Sequence, residues 1–360
     1  MSKTAIMTFP NSPSFGASLQ MYALYATVKK LGHDVEVINY MNQYMKKERH
    51  VSQATGLKHT LRKSVTKVLN YPQIVGFRKF ERQINMYPTK EVNRPSDLKV
   101  LDKRYKNVIV GSDQVWNPNV TGNDTSYLLD FCGKDTYRIA YAPSFGVSVL
   151  GEEYIEQYRR ELRAFHALSA REVRGQEMVQ ELIGEACPVV LDPSMLLTKE
   201  EWESQIVPYK HPSKGYIVRF VFNKDKKTDD FIKQLSEETK LPVYEIGGHI
   251  LTNLRHRDRI FSGPIGPMEW LGLIHDTEYV VTDSFHGAAF SIIFEKNLFV
   301  SLSSCTNSRL ITLLDHFNLQ HRVIGAQKLN VSDKINYERI RKIMEEKRER
   351  SLAYLIESLK

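Results

Sequence analysis

The chain has 360 residues, 42% hydrophobic and 26% charged, with 19 Gly and 14 Pro, so it can bury the cores of about two domains and is no disordered, collagenous or repeat protein. No apolar run approaches the ~18–20 residues that span a bilayer, and the first ten residues are too weakly apolar for a signal peptide. Three scattered cysteines (Cys132, Cys187, Cys305), none in a Cys-x-x-Cys pair, fit neither a disulfide framework nor a thiolate zinc site and point to a reducing cytoplasm.

In chain order, Thr4–Phe9 reads as a strand, Leu19–Leu31 as a helix stopped by Gly32, and Asp34–Tyr40 as the next strand. The stretch from 45 to 100 reads as mostly helical. Asn107–Val110 and Arg138–Ala142 follow as strands, Glu152–His166 as a helix, Leu168–Ala170 as a short strand, Val173–Ile183 as a helix and Pro188–Leu191 as a strand. After a break near 195–214 the alternation restarts: strand Tyr216–Phe222, helix Lys226–Thr239, strand Pro242–Ile246, helix Met268–Ile274, strand Tyr279–Thr282, helix Gly287–Phe294, strand Leu298–Leu302, then a helix from about Leu310. Such alternation implies parallel sheets covered on both faces. We expect two α/β, doubly wound domains, 1–195 and 196–330, the first with a basic helical insertion at 45–106. The tail Ile335–Leu359 carries an apolar stripe (Ile340, Ile343, Met344, Ser351, Leu352, Leu355, Ile356, Leu359) and reads as an amphipathic helix, placed at 331–360, that must dock on something.

The net charge of +8 is uneven. Met45–Lys106 holds 16 Lys/Arg against 5 Asp/Glu, on a background of Tyr71, Phe77, Phe80, Tyr87 and Tyr105, and the remainder is near neutral at 34 against 37. A solvated helical face and a peripheral contact with anionic lipid both fit this excess. Nucleic acid fits least, since no helix-turn-helix, zinc-finger or ribonucleoprotein signature is present.

Ligands of doubly wound sheets lie beyond the carboxyl ends of strands, and that is where the polar motifs fall. Pro10–Ser18 includes Ser14, Phe15 and Gly16 ahead of a helix, and either turns the chain or points N–H groups at an anion. Gly111-Ser112-Asp113-Gln114-Val115-Trp116-Asn117 is too rich in chemistry for a turn alone. Ala142-Pro143-Ser144-Phe145-Gly146 lacks the first glycine of a hydrolase serine elbow. Arg171-Glu172 reads equally as a surface ion pair or as an anion clamp with its orienting carboxylate. Thr282-Asp283-Ser284-Phe285-His286-Gly287 is the strongest: Ser284 can cap a helix and His286 sits at its electropositive start, a position suited to acid–base work. Arg309, after Asn307-Ser308, can grip a second anionic group. Cys305 beside His286 reads as a nucleophile or as plain core. No phosphate-binding loop, Gly-x-Gly-x-x-Gly, His-Glu-x-x-His or Asp-x-Asp occurs.

These motifs together resemble the polysaccharide pyruvyl transferase family. The resemblance rests on Ser14-Phe15-Gly16-x-x-Leu19-Gln20, Gly111 to Asn117, Tyr141-Ala142-x-Ser144-Phe145-Gly146, Arg171-Glu172, Leu191-Asp192-Pro193-Ser194, Thr282 to Gly287 with Phe290-Ser291-Ile292-Ile293-Phe294, and Asn307-x-Arg309, in that order, over about residues 4–325. It implies two Rossmann-like domains facing a cleft, as in the glycosyltransferase B architecture, with the C-terminal helix at 331–360 returning to the first domain. It further implies transfer of the enolpyruvyl group of phosphoenolpyruvate onto two hydroxyls of a sugar, forming a pyruvate ketal in cell-surface polysaccharide or exopolysaccharide. On this reading His286 is the general acid and Asp113 the base or acceptor-orienting carboxylate. Arg171, Arg309, Ser284, Gly16, Ser14 and Gly287 meet the donor's anionic groups, and Gln114, Trp116, Asn117 and Ser144 line the acceptor site. Characterised members carry Arg-Leu-His where this chain has Ser284-Phe285-His286, so the donor's charge falls to Arg171, Arg309 and Arg219. No metal or cofactor is demanded, and the partners are phosphoenolpyruvate, a sugar or lipid-linked oligosaccharide, and an anionic membrane at its cytoplasmic face. A nucleotide-sugar glycosyltransferase of the same fold, or a non-catalytic glycan-binding protein of the envelope, are the alternatives.

Overall fold

A computed structural model of the chain describes residues 3–51 (48–51 by backbone alone), 70–101, 103–209, 215–223, 225–247, 259–302, 308–325, 331 and 333–359. The stretch 52–69 of the basic segment, with Lys58, Arg62 and Lys63, and also Cys305 and Asn307, lie outside the described residues. So does the side chain of Arg49.

The chain divides into two compact units: Met1–Val68, Glu81–Leu197 and Glu346–Lys360 in the first, Leu69–Phe80 and Thr198–Glu345 in the second. The first is built on strands β1 (Lys3–Met7), β2 (Asp34–Tyr40), β3 (Met86–Val92), β4 (Asn107–Val110) and β5 (Tyr137–Ala140), all parallel, in the order β3-β2-β1-β4-β5. Helices α1 (Phe15–Lys30), α2 (Gln43–Val51), α3 (Tyr71–Glu81), α4 (Glu152–Leu162) and α5 (Val173–Ile183) accompany these strands in sequence, α3 grouping almost entirely with the second unit. The second unit repeats the plan with β6 (Ile217–Phe220), β7 (Val243–Glu245), β8 (Ile260–Phe261), β9 (Tyr279–Thr282) and β10 (Asn297–Val300), ordered β10-β9-β6-β7-β8 and parallel throughout. Among the described residues its longer helices are α6 (Lys226–Thr239), α7 (Pro267–Asp276), α8 (Phe285–Ile293) and α9 (Ser308–Phe317), with a short one at Lys199–Glu203. Both sheets are therefore Rossmann-like, with the first strand central and the order reversing beside it.

Two-sided burial explains the composition of these strands. In the first unit Ala5, Met7, Val108 and Val110 pack on one face of the sheet, and Ile6, Val35, Val37, Ile109 and Ile139 on the other. Alternate residues of a strand point to opposite faces, so a strand covered on both must be apolar throughout. Capping sets the helix starts. Ser14 takes the N–H of Ala17, which begins α1 at Phe15, four residues before the apolar pattern does.

Three expectations need correction. The described part of the basic segment is helical in α2, in α3 and in a 3-10 turn at Pro95–Leu101, but Met86–Val92 is the edge strand β3, whose Pro88 an edge tolerates because no neighbour needs its missing N–H. Leu168–Ala170 and Pro188–Leu191 form only isolated bridges, Ile139 to Ala167 and Ala170 to Val189. The last helix, α10 (Tyr337–Ser358), buries Ile340, Met344, Ser351 and Leu355, but Ile356 stays 52% exposed. Its residues from Glu346 group with the first unit, where Ser351 Oγ accepts the N–H of Leu191 at 3.0 Å and the Tyr354 hydroxyl donates to the Ala140 carbonyl at 2.8 Å. Among the described residues no helix is long and apolar enough to cross a membrane.

Candidate functional site

In the first unit the strand order reverses between β1 and β4. The loops leaving those strands enclose a cavity of 340 Å³ lined by Ser12, Ser14, Ala17, Asp113, Gln114 and Asn119, among others. Two distant motifs thus meet in one cavity, at the place where an open parallel sheet receives ligands. The backbone here is strained: Asn11, Asp113 and Ala142, at the exits of β1, β4 and β5, have φ of 55°, 77° and 51°. Left-handed conformations cost energy in residues with side chains, and they cluster at functional sites. Asp113 is half-buried. Its Oδ1 accepts the N–H of Gln114 at 2.9 Å, and its carbonyl accepts the N–H of Ser144 at 2.9 Å. Ser14 is exposed at the cap of α1, and Gly16 is buried in the first turn.

The neighbours of Asp113 divide into lining and support. Gln114 faces the cavity and accepts from Asn117 Nδ2 at 2.9 Å. Asn117, 5% exposed, caps the turn Pro118–Thr121 through the N–H of Asn119 and so holds Gln114 in place. Gly146, at φ 63°, leaves room for this pair, since a Cβ there would lie 2.1 Å from Gln114 Oε1. Trp116 does not line a sugar site. Its ring is wholly buried against Phe145 and Phe165, and its indole N–H donates to the Tyr127 carbonyl at 3.2 Å. Ser144 is buried too, its hydroxyl donating to Glu172 Oε1 at 2.6 Å and accepting the N–H of Gly146 at 3.0 Å.

Arg171 is neither a surface ion pair nor an exposed clamp. Its side chain is 1% exposed, with Nη1 3.1 Å from Asp192 Oδ2 and Nε 3.6 Å from Glu172 Oε2. Ser112 Oγ donates to the same Asp192 oxygen at 2.8 Å. Burial works against the guanidinium charge, but Asp192, then Glu172 and Asp113, outweigh it and hold its pKa above the usual range. This buried network forms the floor under Asp113, and a side chain so enclosed is not disposed to grip a donor. Glu172 is the orienting carboxylate that the sequence offers beside Arg171, whereas Asp192 and Ser112 are site-supporting residues to which the sequence alone assigns no role. The only signal was their place in motifs at strand ends.

In the second unit the order reverses between β6 and β9. Asp283 ties the two exits together: its carboxylate accepts the N–H groups of Phe222 and Asn223 and the side-chain amide of Asn223, each at 2.8 Å. Ser284 caps α8 by accepting the N–H of Gly287 at 3.3 Å. That N–H is therefore already engaged. The lack of a side chain at Gly287 matters more, because a Cβ there would lie 2.5 Å from Thr282 Oγ1 and 3.0 Å from Phe220. His286 follows in the first turn of α8 and is 8% exposed, its ring 5.2 Å from that of Phe285. Arg309 is half-buried in the first turn of α9. Since α8 and α9 pack together and follow the paired strands β9 and β10, His286 and Arg309 occupy the same edge of the sheet. Arg219 does not serve as a donor clamp. It is 5% exposed and bonds Glu245 at 2.6 Å and Asp229 at 3.2 Å, which also hold Arg259.

Comparisons with known proteins extend this picture. No curated protein sequence matches the chain at a significant level. Solved structures do match in fold. The UDP-GlcNAc 2-epimerase of Neisseria meningitidis, bound to UDP-GlcNAc, aligns with a TM-score of 0.55 at 11% identity over 100% of this chain and 99% of its own. The UDP-GlcNAc 2-epimerase of Methanocaldococcus jannaschii gives 0.50 at 13% over 96% and 92%, and a glycosyltransferase of Rickettsia africae 0.50 at 12% over 99% and 94%. At such identities the likeness concerns the fold alone, two Rossmann-like domains of the glycosyltransferase B type. The family model "Polysaccharide pyruvyl transferase" matches residues 15–303, a stretch that contains Asp113, the Arg171 network and His286, and so the chain belongs to the polysaccharide pyruvyl transferase family of transferases.

Proposed function

We propose that the chain transfers the enolpyruvyl group of phosphoenolpyruvate to two hydroxyls of a sugar in a cell-surface polysaccharide, closing a pyruvate ketal. The family match over residues 15–303 carries this reading. In the reaction a proton reaches the vinyl carbon, and the adjacent carbon takes on oxocarbenium character. One sugar hydroxyl attacks it, phosphate departs, and the second hydroxyl closes the ring. Of the two hydroxyl protons, one ends on the new methyl group and the other leaves with phosphate.

His286 is the general acid on this reading, held at the positive end of α8. Asp113, in the cavity of the first unit, takes the hydroxyl proton or orients the acceptor, with Gln114 beside it. Arg309 and Ser284, at the starts of α9 and α8, meet the donor's carboxylate and phosphate on this reading, and Ser14 and Gly16 at the start of α1 offer the same anion-binding chemistry within the first unit. Trp116, Asn117, Ser144 and Arg171 support the site from beneath. The test is to mix the protein with phosphoenolpyruvate and a panel of glycans, following phosphate release and the mass of the glycan. Phosphate release that depends on a glycan, with a pyruvate increment on it, is expected. Turnover of a nucleotide sugar without phosphoenolpyruvate would place the chain among ordinary glycosyltransferases instead.

A further inference from the structure

A second cavity, of 420 Å³, opens in the first unit beyond the carboxyl ends of β2 and β3, lined in part by Asn42, Tyr44, Asn93, Arg94 and Asp124. It shares a wall with the Asp113 cavity: Tyr44 and Thr121 line the outer one, and their chain neighbours Met45 and Val120 line the inner. Tyr44 is fixed in that wall. A Cβ on Gly122 would lie 2.4 Å from its Cγ, so the side chain rests directly on the glycine backbone. The phenol donates to the Asn119 carbonyl at 3.3 Å. Even so, Tyr44 is 41% exposed.

The floor is rigid. Asp124 accepts from the Tyr40 hydroxyl at 2.5 Å, Asn42 Nδ2 at 2.9 Å and the N–H of Ser126 at 3.0 Å. An aromatic ring held in place yet left in water, beside amide side chains that both donate and accept, suits one ligand chemistry well. A pyranose offers an apolar C–H face to the ring and a rim of hydroxyls to the amides, and a prebuilt site binds it with little ordering cost.

We propose that the outer cavity is a carbohydrate subsite. Tyr44 stacks against a second sugar residue of the acceptor glycan while its neighbour occupies the Asp113 cavity, and Asn93 and Arg94 hydrogen-bond the hydroxyls of that second residue. The acceptor is then an oligosaccharide rather than a single sugar. The inference rests on the proposed function for the class of ligand, but its test needs no phosphoenolpyruvate.

Saturation-transfer NMR on the full chain, with mono-, di- and tetrasaccharides of glucose, galactose and N-acetylglucosamine as probes, reads binding alone. At least one di- or tetrasaccharide should bind tighter than its monosaccharide. Tyr44→Ala should weaken it about tenfold and leave the monosaccharide unchanged, while Tyr44→Phe keeps the affinity. Equal binding of short and long saccharides, no loss in Tyr44→Ala, or no binding by any probe overturns the proposal. Ketal formation that is indifferent to Tyr44 would sink the subsite and leave the function standing. Tyr44-dependent binding without ketal formation on any glycan would do the reverse.

Discussion

At the exits of β1 and β4, polar residues in strained backbone surround an open cavity. At the exits of β6 and β9, the carboxylate of Asp283 is spent on three N–H donors and Gly287 lets a helix close onto the strand. The two units share one strand order, yet the first carries the Asp113 cavity at its switch point, while at that of the second the nearest carboxylate, Asp283, is taken up by the N–H groups of Phe222 and Asn223. Topology therefore decides where a ligand can bind, and the residues of the loops decide how the polar groups there are engaged. The arginines make the same point. Arg171 and Arg219 are each buried between two carboxylates, whereas Arg309 is half-buried at a helix start.

The sharpest way to break this comparison is at His286. If the helix start at Ser284 serves to hold an acid, His286→Ala should cut turnover by ~10²–10⁴ with the fold intact by circular dichroism. Near-normal turnover at neutral pH would reduce the second unit's edge to scaffolding. Next come the arginines. Arg171→Leu leaves Asp192 and Glu172 buried without their counter-charge and should cost about 3–5 kcal/mol in denaturant unfolding. Arg309→Lys should leave stability alone and raise the KM for phosphoenolpyruvate about tenfold, with the acceptor's KM unchanged, because an ammonium lacks the planar fork. The opposite pattern, a stable Arg171 variant with raised donor KM, would restore Arg171 as a clamp.

A smaller effect is expected at Gly287. Gly287→Ala forces a methyl group against Thr282 and Phe220 and should cost about 1–3 kcal/mol, seen as a lower Tm. An unchanged Tm would mean that α8 can lift off β9 freely. The weakest effect concerns the basic segment of 45–106, where we propose a salt-sensitive contact with anionic membrane near a lipid-linked acceptor. Lys46 already pairs with Glu91 at 2.5 Å, while Lys47 is exposed. Neutralising Lys46, Lys47, Arg49, Lys58, Arg62 and Lys63 should abolish flotation with anionic vesicles at low salt and spare activity on a soluble glycan, since exposed charges are screened over ~8 Å at physiological ionic strength. No flotation by the unaltered protein would leave those residues as a solvated face.

What the sequence by itself determined is the alternation of strands and helices and the edge at which the motifs gather. Asp34–Tyr40, Asn107–Val110, Val173–Ile183, Lys226–Thr239 and Tyr279–Thr282 are bounded in the structure as their apolar patterns and caps predict, because those patterns are local and strong. The helix cap at Ser284 is local as well. The edge strand β3 escaped notice because an edge needs little burial and its seven residues include Pro88, Lys90 and Glu91. Only the tertiary structure decided the state of each polar side chain. Trp116 looks like a sugar platform until Phe145, Phe165 and the Tyr127 carbonyl enclose it. Arg171 looks like a clamp until Asp192, 21 positions along the chain, neutralises it. Whether a charge or a ring meets solvent, a ligand or a partner depends on contacts between residues far apart in the chain, and no local pattern encodes those.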